Sequence, residues 1–308
     1  MIERLLAFIG NVTSVAGRLL WIARNHHPMI TLGLFREHAI AWFLAWWNRD
    51  SVNVINEDEL VAQKKGGRVF IFGCGASLNS ITPLEWEKIR QFDSIGFNHA
   101  YYLNYPFTYY IMRGGVYGAS ETFNWRNFTD HILHDIQKDS TLDKAIFFVQ
   151  KGFTSIFCNR IVGFKLWKKT HRVRFFYCDK VLRLPLLSTT KHLVHRVGTL
   201  CTAIDLAASL GYKEIVLIGV DLYDNRYFFL PPDKTIGWSD EEGRLIPVDL
   251  SVHDDVTLNI DDAHNTARNG VVEIVGEWND YLRKAGGISI SVYNPKSLLA
   301  KKIPVFNW

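Results

Sequence analysis

The segment VGTLCTAIDLAASLGYKEIVLIGVD, residues 197–221, decides the fold. Gly198 to Leu210 is rich in Ala and Leu and reads as a helix. Gly211 closes it as a C-terminal cap, where a residue without Cβ adopts the left-handed backbone at little cost. Lys213 to Asp221 then reads as a strand that ends in an acid. Upstream, Arg68–Phe72, Ser94–Phe97, Phe107–Met112, Ala145–Gln150 and Arg172–Tyr177 read as further strands. Downstream, residues 224–263 are polar, acidic and contain Gly and Pro, which predicts a long loop or lid. Thr266 to Ala285 returns to helical spacing, Gly286-Gly287 stops it, and Ile288 to Tyr293 is the last strand. Strands alternating with helices predict an α/β, Rossmann-like fold. Its sheet is open and mostly parallel, with helices on both faces and ligands at the carboxyl ends of the strands.

The 308 residues suffice for one large α/β domain, here residues 68–308, and an added N-terminal segment, residues 1–60. Asp58 to Gly67 is polar and reads as the linker between them. A formal charge of +4 suits anionic ligands or an anionic membrane surface and argues against nucleic acid. Cys74, Cys158, Cys178 and Cys201 form no C-x-x-C pair, so buried thiols of a reducing cytoplasm are expected, with neither disulfides nor a zinc site.

Residues 1–60 carry their own pattern. Arg4, Asn11, Arg18 and Asn25 recur every seven residues opposite Leu5, Leu6, Ile9 and Val12, the spacing of an amphipathic helix. Ile30 to Trp47 adds Trp42, Trp46 and Trp47, with Arg24, Arg36 and Arg49 nearby. Half-wet tryptophans beside arginines fit a membrane interface, and a helical pair packed on the domain or on another subunit fits equally. No uninterrupted run of about 20 apolar residues exists to span a bilayer. The expected location is cytoplasmic, peripheral at the inner membrane.

Several residues carry chemistry. Gly73-Cys74-Gly75-Ala76-Ser77 directly follows a strand, where glycines let backbone N–H groups approach a phosphate. Asp221 stands at a strand end, where acids hold ribose hydroxyls. Tyr223 and Tyr227 can donate phenolic hydrogen bonds to a departing phosphate. His264, in Asp261-Asp262-Ala263-His264-Asn265-Thr266, precedes a helix and can accept a proton near neutral pH.

Taken together, these blocks resemble the bacterial lipooligosaccharide sialyltransferases, glycosyltransferase family 42. The resemblance is carried by Gly73 to Leu78, by Phe97-Asn98, by Arg196-Val197-Gly198-Thr199 through Gly219-Val220-Asp221-Leu222-Tyr223, by His264-Asn265-Thr266, and by Asn294-Pro295-Lys296-Ser297-Leu298-Leu299. It runs from about residue 68 to residue 304, and is weak between 115 and 190.

The resemblance implies a GT-A-like variant of the fold and an inverting, metal-independent transfer of sialic acid, or a related ulosonic acid, from a CMP-sugar to a surface-glycan or glycolipid acceptor. His264 would deprotonate the acceptor, while Tyr223 and Tyr227 would stabilise the leaving phosphate. Arg196 would sit near the reacting sugars. Asn98, Thr199 and Asp221 would contact the donor, with Gly73, Cys74, Gly75 and Ser77 lining its loop. The loop carrying Asn294, Pro295 and Ser297 would border the base. No cofactor is implied. The family usually has Asn in place of Cys74, and residues 1–60 have no counterpart in it. CMP-Kdo shares the same leaving group and carboxylate, so a Kdo transferase stays open. So do a homo-oligomer and a membrane-docked, non-catalytic polysaccharide assembly factor. A group resembling motility accessory factors and pterin diphosphokinases shares the glycine loop and the strand ending at Asp221, but His264-Asn265-Thr266 and Asn294–Leu299 favour the sialyltransferases.

Overall fold

A computed structural model of the chain describes residues 28–113, 125–152, 155–187, 189–239, 244–250 and 263–308. The helix expected over the first 25 residues lies outside them, as do Asp261 and Asp262. Helix α1 (Pro28–Trp47) comes first, then strand β1 (Asn53–Val54) and helix α2 (Glu57–Ala62). There follow β2 (Arg68–Phe72), α3 (Pro83–Ile89), β3 (Asp93–Phe97), β4 (Tyr109–Met112), α4 (Trp125–Lys138), β5 (Ile146–Gln150) and α5 (Ile156–Gly163). Next come β6 (Arg172–Asp179), β7 (His192–Val194), α6 (Gly198–Ser209) and β8 (Glu214–Ile218). The chain continues through β9 (Lys234–Ser239), β10 (Leu245–Asp249), α7 (Asn265–Arg268), α8 (Val271–Gly286) and β11 (Ser289–Val292).

The main sheet runs β1-β6-β5-β4-β3-β2-β8-β11, with β7 on β6, and its pairings are parallel. From β2 the chain builds outward to β6, then returns to lay β8 against the other side of β2. Loops leaving β2 and β8 at their carboxyl ends therefore diverge, and such a switch point opens a crevice. Side-chain alternation sorts the core. Val69, Ile71, Ile215 and Leu217 pack with α6 and α8 on one face of the sheet. Phe70, Phe72, Val216 and Ile218 pack with α3, α4 and α5 on the other. Apolar residues at consecutive positions are what a strand buried on both faces requires.

The structure departs from the sequence reading in several places. The expected linker begins with α2, because Asn56 and Glu59 form a reciprocal capping box that satisfies two N-terminal donors. The helix expected over 266–285 is two helices, since Gly270 takes φ +85° between α7 and α8. Within the expected lid, β9 and β10 pair antiparallel as a hairpin.

Gly219 holds the switch point together. It follows β8 with φ +63°, and a Cβ there would stand 2.7 Å from Leu78 Cγ. Both the backbone and the space demand glycine. Gly219→Ala is expected to lower the unfolding free energy by about 2–4 kcal/mol through left-handed strain and overpacking. Urea titration checks this, with a lower midpoint at unchanged slope as the expected result.

Candidate active site

The floor of the crevice is backbone. Gly73 N–H donates to Ile218 O and Gly75 N–H to Gly219 O, each at 2.8 Å. A Cβ on Gly75 would meet Asp221 Oδ2 at 2.4 Å, so the loop from β2 lies directly on the acid that follows β8. Asp221 is 3% exposed, and its two oxygens are engaged by Ser77 N–H at 2.9 Å and Asn294 Nδ2 at 2.8 Å. After Asp224 the chain turns back over the glycine loop. Gly75 and Tyr227 form a bridge, and Phe228 N–H donates to Cys74 O.

Above this floor is a cavity of about 290 Å³, lined among others by Gly73, Cys74, Gly75, Asn98, Thr199, Asp221, Tyr227 and His264. The volume approaches that of small-molecule sites. His264 N–H donates to Leu222 O, and the ring caps α7 by accepting Thr266 N–H at Nδ1, 3.1 Å away. A ring nitrogen that accepts carries no proton, so the neutral imidazole has its hydrogen on Nε2. Nε2 lies 3.3 Å from Tyr227 Oη and donates to it. Burial holds the His264 pKa below its ordinary value, with Asp224 opposing the shift. Burial also pushes the Tyr227 phenol upward, so that it keeps its proton.

The structure brings most of the expected residues together, but not all. Tyr223 lies in a neighbouring pocket of about 390 Å³ with Ser77, Asn294 and Pro295, away from His264. The cause is Leu222, whose φ of +65° turns the chain just before it. Arg196 is exposed and does not line the cavity. Ser297 faces inward, donating to Val220 O at 2.6 Å and accepting Leu299 N–H, which pins its loop to the strand end. Cys74 Sγ points at Phe97 O, and burial pushes its pKa up to about 12, so the thiol is neither a nucleophile nor a strong donor.

Sequence reasoning missed Asp224, Arg226 and His99, all of which line the cavity. Arg226 also lines the neighbouring pocket and pairs with the buried Asp224. The signals were proximity alone: Asp224 lies three residues beyond Asp221, and His99 follows Asn98.

Fold and site together define an open, doubly wound α/β protein with a crevice at its switch point. No protein-family model matches the chain, and no curated protein does. Among solved structures it is similar to the monofunctional alpha-2,3-sialyltransferase Cst-I from Campylobacter jejuni. That likeness has 14% identity over 83% of this chain and 85% of that one, with a TM-score of 0.42. It is also similar to a tyrosine-to-phenylalanine variant of the sialyltransferase Cst-II in complex with CMP. There the identity is 16% over 79% of this chain and 89% of that one, with a TM-score of 0.43.

His99 sets a pH dependence. Its Nδ1 is buried without a hydrogen-bond partner among the described residues, and burial pushes its pKa from 6.5 to about 4. Above the ordinary value, folded and unfolded chains both carry neutral His99. Between 6.5 and about 4 the unfolded chain binds a proton that the folded one refuses, so stability falls as pH falls. The loss from this residue is expected to reach about 2 kcal/mol near pH 5 relative to pH 8. Denaturation of the protein and of His99→Gln across that range checks it, and the variant's curve should be flatter on the acid side.

Proposed function

We propose that the chain is an inverting, metal-independent glycosyltransferase that moves a sialic acid or related ulosonic acid from a CMP-sugar to a hydroxyl of a surface glycan or glycolipid. The observation that supports it is the His264–Tyr227 pair, 3.3 Å apart, facing a glycine-floored crevice at the switch point. A base next to a proton-bearing phenol is what the reaction needs. One group takes the acceptor's proton and the other donates to the departing phosphate.

In this reading the nucleotide lies over Gly73–Gly75, with Asn98, Thr199 and Asp221 around it. Tyr227 donates its O–H to the phosphate. The acceptor oxygen attacks the anomeric carbon from the side opposite the phosphate. The new C–O bond forms as the bond to the phosphate oxygen breaks, the electron pair leaves with CMP, and the acceptor proton goes to His264 Nε2. For Nε2 to accept, the imidazole first exchanges to the Nδ1–H form, which releases the cap on Thr266. That exchange forfeits the capping bond, about 1 kcal/mol, and the Nε2–H bond to Tyr227 Oη as well. Tyr223 and Arg226, beside the second pocket, bind the outer part of a substrate rather than the reacting centre. A Kdo donor carries the same carboxylate and leaving group and is read by the same groups.

His264→Ala is expected to lower kcat by about two to four orders of magnitude while CMP affinity stays nearly unchanged, because the base touches the acceptor. Turnover with CMP-sugars and calorimetric CMP titration in EDTA check the two halves. Wild-type turnover in the variant, or a preference for UDP or GDP over CMP, overturns the reading.

A further inference from the structure

The C-terminal half of helix α1, residues 39–47, is apolar on all sides, and among the described residues only one side of it is covered by the domain. Positions 41, 44, 45 and 48 share a face and lie on α5. A Cβ on Gly163 would stand 2.8 Å from Ala41 O and 3.1 Å from Ala45 N, and Asn48 Nδ2 donates to Gly163 O at 2.9 Å. This contact is made by small residues and backbone. By helical spacing the opposite face carries Arg36, Ile40, Phe43 and Trp47, flanked by Trp42 and Trp46. These large side chains stand out from the protein, with Phe43 at 53%, Trp46 at 55% and Trp47 at 68% exposure. The rings of Phe43, Trp46 and Trp47 lie 6.0–6.4 Å apart, which makes one continuous aromatic surface. A helix face meant for water would carry charge along its length, whereas here Ile40, Phe43 and Trp47 follow Arg36 with no further charge.

The rim of this surface is cationic. Arg36 and Arg49 are exposed, and Arg49 lies over the Trp46 ring, 5.9 Å from its centroid. Directly after Gly163 come the exposed Phe164, Lys165, Lys168 and Lys169. Lys168 is paired to Asp143, and Asp50 is the exposed acid beside Arg49. Aromatic side chains amid arginine and lysine match a bilayer interface, where rings bury at the headgroup boundary and cations meet anionic lipid. Among the described residues no helix is long and apolar enough to cross a membrane, so α1 is suited to lie on the surface. A second copy seated on the same face would set cationic rim against cationic rim. Residues 1–27 carry Arg4, Arg18 and Arg24 against Glu3, and so are of the same sign as the rim.

We infer that the outward face of α1, Ile40, Phe43, Trp46 and Trp47 rimmed by Arg36 and Arg49, docks the protein on an anionic phospholipid bilayer. The test uses the full chain with phosphatidylcholine vesicles, with and without about one third phosphatidylglycerol. Co-sedimentation and quenching of tryptophan fluorescence by brominated lipid are the readouts. Expected is binding to the anionic vesicles that weakens with salt, with quenching that marks ring insertion. Arg36→Glu/Arg49→Glu, which leaves the apolar face and the α5 contact in place, should bind at least tenfold more weakly. Phe43→Ser/Trp46→Ser/Trp47→Ser should lose quenching while keeping the far-ultraviolet spectrum of the wild type. Wild-type protein that stays in the supernatant with both vesicle types overturns the inference. So does a concentration-dependent dimer abolished by the serine variant, which assigns the face to a second copy. Equal quenching before and after removal of residues 1–27 supports it, and quenching that appears only after their removal overturns it, because the face is then covered by the chain itself. Neither readout involves sugar transfer, so failure here leaves the enzymatic reading standing.

Discussion

The site depends on one backbone contact. At the switch point the chain leaves β2 at Gly73 and β8 at Gly219 side by side, and the first of these glycines has its would-be Cβ 2.3 Å from the carbonyl of the second. No side chain fits between them. Parallel pairing would otherwise let the two loops separate at once. Instead the Gly75 N–H to Gly219 O bond carries the ladder three residues past the end of β2, and only then do the loops part. The crevice is narrow at its base and lined by backbone for this reason. A floor of glycine backbone admits closer approach of a ligand than any floor of side chains.

Asp221 turns that contact into a scaffold. One buried carboxylate takes Ser77 N–H from the β2 loop and Asn294 Nδ2 from the loop after β11, while its own carbonyl takes Leu298 N–H. Two segments distant in sequence are thus held to the end of β8 by one residue, and Ser297 reinforces the second through Val220 O. An acid at a strand end invites a reading as a ribose ligand. Here its oxygens already have donors, so any ligand shares a group whose first duty is structural. Removal of a buried carboxylate with such partners leaves donors unsatisfied, and its effect on activity cannot be separated from its effect on the loops.

The central strands were legible in the sequence because each is a short apolar run buried on both faces. β2 and β11 fall within a residue of the expected ranges, while β8 ends at Ile218, three residues before Asp221, because Gly219 turns out of the strand at φ +63°. The glycine loop at Gly73 and Gly75 and the helix start after His264 were legible for a related reason, since local backbone chemistry fixes them, whereas the left-handed turn at Gly219 was not foreseen. What was not legible depends on single dihedral angles or on very short elements. Leu222 in the left-handed region sends Tyr223 away from Tyr227, although four residues apart they look like a pair. β1 and β7, of two and three residues, are too short for any periodicity to reveal. The β9–β10 hairpin has short strands, KTIGWS and LIPVD, each interrupted by a Gly or a Pro and set among acidic residues, so it reads as loop. Helix α1 was foreseen from its apolar residues, but which of them would face α5 depended on Gly163, more than a hundred positions away in sequence.

The hydrogen bonds around His264 have a fixed direction, and that direction bears on the order of events under the proposed reading. Thr266 N–H can only donate, so Nδ1 accepts and Nε2 carries the proton. Nε2–H then donates to Tyr227 Oη, and the phenol, kept protonated by burial, has its O–H left to offer. The resting crevice therefore presents a donor and no free base. An anionic phosphate oxygen satisfies that donor, whereas an acceptor hydroxyl gains nothing at Nε2 until the imidazole changes tautomer. Once the phosphate has taken the Tyr227 proton bond, the imidazole can give up its Nε2 hydrogen, forfeiting the α7 cap and its own bond to Tyr227, and Nε2 then accepts from the incoming acceptor hydroxyl. Nucleotide first and acceptor second is thus the sequence in which every polar group keeps a partner for longest.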